Sequence, residues 1–386
     1  MKKAYDTIIV GGGIVGCSIA FELAKRGVKD ILLIERGYLA SGATGRCGAG
    51  IRQQWGSKLN ATLAVESTHI FENLESYTGY NYSCGLNQAG YLLIACTPKE
   101  WDQFQINLDV QHELGVESHV VDLEKDVYNY VPFINTDGIY GATFCQKDGH
   151  ADPFHCTFAY AQGAKRMGVE ILTYTTVESL IAEQGKIKGV HTSKGDFEAS
   201  RVINCANGWA PGLAAQVGDE IPVFPERHQA LVTEPVAPMG PNGPMPMVMS
   251  FHRRFYVQQS PHGSFIMGIA EDEPISFNYR SSWQFLEECC SIITNTLPAL
   301  RGLRVVRQWA GLYDMSPDHC PIIDFSKNAE GLLNICGFSG HGFMIAPRVA
   351  ILVANALCQQ EDAIDIHMFS ADRYRTGDIL IEPSVV

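Results

Sequence analysis

Long apolar runs are missing from this chain. No stretch approaches the roughly 18 consecutive apolar residues a membrane helix needs, so no membrane span is expected. Basic charge is short as well. Lys and Arg number 29 against 42 Asp and Glu, a formal net charge of −13, which argues against a general nucleic-acid binder. Cysteines are present but unpaired in pattern: the twelve are scattered, with no C-x-x-C pair and no zinc-type spacing to histidine. No metal site is expected. Cys17, Cys205 and Cys336 lie in small or apolar contexts, where a free thiol behaves as a small buried hydrophobe, and the vicinal pair Cys289 and Cys290 falls in an amphipathic helical pattern. Reduced cysteines, and a start that enters a strand without a basic-then-apolar leader, point to the cytoplasm. Internal repeats are absent. What remains is 386 residues, 46% of them hydrophobic, enough for a large core and two domains.

The first recognisable unit is DTIIVGGGIVGCSIAFELAKRGVKDILLIER, residues 6–36. Thr7 to Val10 is a short apolar run suited to a strand covered on both faces. Gly11, Gly13 and Gly16 form G-x-G-x-x-G. The residues after them, 17–26, carry apolar positions at helical spacing, and Gly27 closes that helix. A second apolar strand, Ile31 to Ile34, ends in Glu35. Gly11 permits the tight turn, Gly13 lets backbone approach a pyrophosphate, and Gly16 lets helix and strand pack closely. The helix start offers free N–H groups to phosphate, and Glu35 is placed to accept hydrogen bonds from a ribose. Strand, helix, strand and acid in that order predict a dinucleotide site.

Residues 37–57, GYLASGATGRCGAGIRQQWGS, favour FAD over a nicotinamide dinucleotide, because glycines and small residues let the chain run close to an extended ligand. Here the sequence resembles the D-amino-acid oxidase superfamily of FAD-dependent oxidoreductases, in its sarcosine oxidase beta subunit, glycine oxidase and proline dehydrogenase-like branch. The resemblance continues through DGHADPFHCTFAYAQGAKRMGVEIL (148–172), VINCANGWAP (202–211), WAGLYDMSPDHCPIIDF (309–325) and GLLNICGFSGHGFMIAP (331–347). It implies an α/β fold, a Rossmann-type FAD-binding domain with an inserted, mainly antiparallel β-sheet substrate domain. Residues 1–84, 146–219 and 319–386 then form the FAD-binding domain. Residues 85–145 and 220–318 form the substrate domain, where RFYVQQ and SFIMGIAE alternate as half-buried strands do. The stretch 235–249 is too rich in proline and glycine for a regular element and reads as a loop.

The resemblance also implies which residues contact FAD, bound non-covalently. Gly11, Gly13, Ile14, Val15 and Gly16 belong to the first turn, and Glu35 and Arg36 follow the second strand. Ser41, Ala43, Thr44, Arg46, Cys47, Gly48, Ala49 and Gly50 run beside the pyrophosphate and ribityl chain, with Arg46 helping to neutralise the phosphates. Val177 is placed against adenine, and Ala206, Asn207, Gly208 and Trp209 beneath the cofactor. Gly311 lies under the flavin, and Gly337, Ser339, Gly340, His341, Gly342, Phe343 and Met344 lead into the last helix, the glycines letting backbone approach the ring.

For chemistry, an amino-acid substrate needs a cation for its carboxylate, usually a bidentate arginine. Arg52, in RQQWGS, resembles the family's carboxylate-binding arginine. Tyr256 sits where relatives present an active-site tyrosine, with Arg254 as a second clamp and Tyr313 lining the pocket. His341 is expected to pack beneath or tune the flavin. Three departures from monomeric sarcosine oxidase stand out. Gly311 replaces the flavin-linking cysteine, and Ile266 and Met344 replace lysines. A flavin-linking histidine found in some relatives falls at Ala151, with His150 beside it. The expected reaction is oxidation of a small secondary or primary amino acid, such as sarcosine, dimethylglycine or proline, by hydride transfer to flavin. Electrons then pass to oxygen or another acceptor. The partners implied are the small-molecule substrate and either an electron-accepting subunit in a hetero-oligomer or further copies of the chain. Two alternatives stay open: a dehydrogenase of a hydroxylated substrate such as glycerol 3-phosphate or a 2-hydroxy acid, and a flavin subunit active only in a hetero-oligomer.

Overall fold

The computed structural model describes residues 2–384. Two eight-stranded sheets organise it. In the first, strands Ala4–Val10, Ile31–Ile34, Glu170–Leu172, Gly195–Asn204 and Leu332–Cys336 run parallel, and Ile322–Phe325 closes one edge antiparallel. The runs IIV and ILLI are buried on both faces, as parallel strands require when helices cover them. Helices Ile14–Lys25, Pro153–Arg166 and Gly342–Leu357 cover one face and merge with Ile9, Ile31 and Leu33 into one core, while on the other face Ile8, Val10, Leu32 and Ile34 pack with Val190, Phe197 and Leu213 into a second. Asp152 starts the middle helix. Its Oδ1 accepts the Phe154 and His155 N–H groups at 2.8 and 2.9 Å, while Pro153 occupies a first-turn position that needs no N–H.

The second sheet is built from two separate parts of the chain. Its order is Val305–Met315, Phe224–Thr233, Phe265–Ile269, Phe255–Gln259, Met247–Ser250, Tyr91–Ala95, Gly141–Cys145, His119–Val121. All neighbours are antiparallel except Met247–Ser250 beside Tyr91–Ala95, the line along which the two parts join. Its core is filled from one face by the helix Trp283–Thr296, which carries Cys289 inward. The proline-rich stretch 235–249 is not irregular throughout. Its last residues, from Met247, enter a strand, because apolar Met247 and Val248 are free of proline and fit between Leu92 and Val257. A small antiparallel pair, Gly50–Ile51 with Gly149–His150, forms a separate two-stranded sheet.

All twelve cysteines are free. Among the described residues no helix is long and apolar enough to cross a membrane, and no cluster of metal-binding side chains occurs.

Candidate active site

Two cavities share a wall. The larger, about 360 Å3, opens at the end of strand Ala4–Val10. Its floor exists because three glycines stand where side chains cannot. Gly11 has φ +115°, and a Cβ there would meet the Cys205 carbonyl oxygen at 2.4 Å. A Cβ on Gly16 would lie 2.0 Å from the Gly11 carbonyl oxygen, and one on Gly13 would touch Thr44 Oγ1 at 3.0 Å. Glu35 laces the turn to the segment after it. Gly12 N–H donates to its Oε2 at 2.7 Å, and Gly37 N–H and Ser41 Oγ donate to Oε1 at 2.7 and 3.3 Å. Ile14 N–H, in the first turn of the helix, donates to Thr44 Oγ1 at 3.2 Å. At the far side Asn207 has φ +53°, and its buried Oδ1 has no partner.

Gly11, Gly13, Val15, Gly16, Glu35, Arg36, Ala43, Thr44, Val177, Ala206, Asn207 and Trp209 line this cavity. Ile14 instead fills the core beneath it, and Ser41 acts through Glu35. Gly208 is packed under Pro225, where a Cβ would meet that ring at 3.0 Å. Arg46 is used elsewhere. It donates through Nη1 to the Ala310 carbonyl at 3.1 Å and through Nε to the Ser41 carbonyl at 3.3 Å, with its guanidinium over Tyr279. It braces the strand Val305–Met315 rather than facing the larger cavity.

The smaller cavity, about 110 Å3, lies between the sheets. Cys47, Gly48, Ala49, Gly50, Arg52, Tyr256, Ser339, Gly340, His341, Phe343 and Met344 line it, together with Arg254 and Tyr313. Consecutive residues divide between the cavities: Asp314 and Phe338 face the larger, Tyr313 and Ser339 the smaller. Sequence reasoning missed Tyr91, His228, Met247 and Met249 in this lining. Only strand register brings them there, with Tyr91 opposite Met247 and His228 opposite Gly311.

Gly311, Gly337 and Gly342 lie outside both linings, each for a packing reason. Cβ atoms there would meet Arg46 Cβ at 3.1 Å, Val223 Cγ2 at 3.0 Å and Phe338 Cβ at 3.1 Å respectively. Gly340 faces the cavity, but its demand comes from Tyr313 as well as from its φ of +88°, since a Cβ would lie 2.3 Å from that ring.

The electrostatics follow from burial. His341, the residue before the helix Gly342–Leu357, packs edge-on against Trp55 with centroids 4.7 Å apart. Burial, helped by Arg52 and His319, pulls its pKa down to about 3, so it is neutral at physiological pH. Burial pushes the Tyr256 phenol well above its ordinary value, Tyr313 to about 12 and the Cys47 thiol to about 11. Arg52 is fully buried, and its pKa is lowered by that burial against the pull of Glu382, Tyr91 and Asp148. Arg254 lies in a turn with φ +55° and pairs with exposed Asp272 at 3.0 Å. The cavity therefore holds two arginines among neutral tyrosines, a neutral His341 and methionines.

A glycine cradle at a helix start, an acid after the second strand and an orphaned amide oxygen in the larger cavity suit a dinucleotide, and the adjoining small cavity suits its reaction partner. Together with the two-sheet architecture they define a flavin-dependent oxidoreductase. The chain belongs to the DAO family of FAD dependent oxidoreductases, whose profile matches residues 6–356. It is similar to the crystal structure of L-proline dehydrogenase from P. horikoshii, with 33% identity and a TM-score of 0.92 over 98% of this chain and all of that one. It is 28% identical to sarcosine oxidase subunit beta of Rhodobacter capsulatus, across 99% of this chain and 91% of that protein. It is also 26% identical to the mitochondrial dimethylglycine dehydrogenase of Rattus norvegicus, where the match spans 45% of the longer protein. The architecture is the family's FAD-binding fold with a substrate domain.

Proposed function

We propose that this enzyme oxidises a small secondary amino acid, of the sarcosine, dimethylglycine or proline type, with non-covalently held FAD. The observation that carries the reading is Arg52, buried in the wall of a small cavity whose other lining is mostly neutral and which adjoins the dinucleotide cavity. Residues 1–84, 146–219 and 319–386 serve as the FAD-binding domain, and 85–145 with 220–318 as the substrate domain. Gly11, Gly13, Glu35, Val177 and Asn207 would hold the dinucleotide. When bound, FAD supplies the two-electron acceptor for a hydride leaving the carbon beside nitrogen.

The chain's own residues bind and orient. Arg52 takes the carboxylate, Tyr256 and Tyr313 shape the cavity around the carbon chain, and the neutral His341 adds no cation that would repel a substrate ammonium. The start of the helix Gly342–Leu357 contributes Phe343 and Met344 to the cavity and directs its free N–H groups there, which favours negative charge. Arg254 is already paired with Asp272, so Arg52 is the arginine of the lining left for a substrate anion, which suits a single carboxylate better than a doubly charged phosphate ester. Non-covalent attachment is supported at Gly311, where a side chain would crowd Arg46. Relatives named as a beta subunit support a hetero-oligomer; in this reading the enzyme is cytoplasmic and a partner subunit takes the electrons.

The test is anaerobic mixing of FAD-loaded protein with sarcosine, dimethylglycine, L-proline and hydroxyproline, and separately with glycerol 3-phosphate and lactate. Bleaching of the flavin absorbance by a secondary amino acid is expected. Bleaching by the alcohols alone would overturn the reading.

A further inference from the structure

Arg52 stands just beyond the strand Gly50–Ile51, in a stretch with no helix or strand of its own. A long side chain on such backbone is not aimed by local geometry, and ordering it costs rotamer entropy. Something else holds it. Nη1 donates to the Gln54 carbonyl at 3.1 Å, the guanidinium lies over Trp55 at 4.1 Å, and Nη2 donates at 3.0 Å to the carbonyl of Ser384, more than three hundred residues away.

The segment around Ser384 has no regular structure either, yet its polar groups are tied down. Leu380 N–H donates to Asp318 Oδ2 at 3.1 Å. Glu382 is buried, and its carboxylate accepts Gly56 N–H at 2.9 Å, Ser57 N–H at 3.0 Å, Ser57 Oγ at 2.6 Å and Asn60 Nδ2 at 3.1 Å. It thereby holds Ser57, whose Oγ accepts Asn60 N–H and caps the helix Lys58–Phe71, and brings a negative charge near Arg52. Ser384 N–H turns back to Glu382 Oε1 at 2.9 Å, and Ser384 Oγ accepts from Asn107 Nδ2 at 2.7 Å, on the helix Pro98–Glu113 of the other half of the molecule. Pro383 closes against Gly56 so tightly that a Cβ on that glycine would lie 2.3 Å from its ring. The contacts run on from Arg52 through Trp55, whose Nε1 donates to the Arg52 carbonyl at 2.8 Å, to His341.

We propose that residues 380–384, anchored by Glu382 and Asn107, form a positioning strap that aims the Arg52 guanidinium at the substrate carboxylate. Through it the enzyme favours carboxylated amines over amines in general. This rests on the reading that Arg52 takes the carboxylate. Glu382 and Asn107 touch neither substrate nor cofactor; they act through Ser384.

The test compares Glu382→Gln, Asn107→Ala and Arg52→Gln as FAD-loaded proteins. Calorimetry measures the Kd for acetate against acetamide, and anaerobic flavin reduction measures KM and the limiting rate for L-proline or sarcosine against pyrrolidine or dimethylamine. The strap variants are expected to weaken acetate binding and raise KM for the amino acid roughly tenfold, leaving acetamide and the simple amines unchanged and FAD content intact. Arg52→Gln should do the same more strongly. Two strap variants with wild-type acetate binding, beside an Arg52→Gln that has lost it, would overturn the strap while sparing the reading of Arg52. A lowered melting temperature with unchanged discrimination would make Glu382 only a support for the Ser57 cap and also overturn it. If Arg52→Gln binds acetate like the parent, both proposals fall. Asn107→Ala, which leaves the cap untouched, keeps the test decisive should Glu382→Gln fold poorly.

Discussion

The His228 imidazole lies flat on the Tyr313 ring, with centroids 3.7 Å apart and planes 15° apart, and its Nε2 faces Glu226 Oε1 at 3.0 Å. Tyr313 is thus pinned between that imidazole and the backbone of Gly340, and both rings line the smaller cavity. Neither histidine nor glycine could be assigned this task from its own neighbours in sequence.

Gly340→Ala should therefore be severe. A Cβ at φ +88° costs about 1–2 kcal/mol, and the collision with Tyr313 adds about 1–3 kcal/mol. The melting temperature should fall and substrate affinity with it. Adding Tyr313→Ala should recover the packing part but not the backbone part, so partial rescue in a thermal melt is the expected result.

Tyr256 lies across Gly268, where a Cβ would meet its ring at 2.5 Å, and against Gly48, where one would meet it at 3.4 Å. Gly268→Ala should push the tyrosine into the cavity and raise KM for the amino acid roughly tenfold, with FAD still bound. Steady-state kinetics beside the flavin spectrum checks this. An unchanged KM would show that Tyr256 has room to retreat.

The stretch 271–282 crosses to the dinucleotide side, where Phe277 and Tyr279 stack on Trp209 at 4.7 and 6.2 Å and Arg36 covers the same indole at 3.7 Å. Phe277→Ala removes one aromatic pair, worth about 0.5–1.5 kcal/mol. FAD should then dissociate about two- to tenfold more readily, read as fluorescence released on dilution, while KM for the substrate stays the same.

Asp148 is buried, accepts from Gln53 N–H at 2.7 Å and Gln54 Nε2 at 2.9 Å, and is held up to about 6 by burial. The folded protein keeps a proton that the unfolded chain releases near 3.8. This contribution to stability is full below about pH 4 and is lost as pH rises through about 6, at most about 3 kcal/mol. Asp148→Asn should flatten that part of the pH profile, with Asp314, also held up to about 6 by burial, leaving a residual slope of the same sign. Denaturation at several pH values between 4 and 7 measures it.

Replacing His341 with Ala should leave FAD bound and reducible, because burial keeps this imidazole neutral and its contact is the edge of Trp55. Complete loss of reduction with FAD retained would contradict that.

The core of the dinucleotide cradle could be read directly from the chain, because its glycines, its two strands and Glu35 lie within about thirty consecutive residues. A βαβ unit is local: glycines permit the close approaches, apolar runs bury the strands, and Glu35 comes into range as soon as the second strand pairs. The alternation in 255–269 likewise announced antiparallel strands, because side-chain parity is a local property. The misplacements have the opposite character. Arg46 is close to the cavity in sequence, yet the carbonyls it meets belong partly to a strand some 260 residues later. Met247 follows a proline-rich run but pairs with Tyr91. His228 and Tyr91 reach the smaller cavity only through register between distant strands, and the direction of Arg52 is set by the Ser384 carbonyl. The sequence by itself determined the cofactor-binding unit and the class of chemistry, since short-range sterics and hydrogen bonds suffice for those. Tertiary structure alone decided how the substrate cavity is lined and which way its arginine points, because those depend on contacts between segments that only folding brings together.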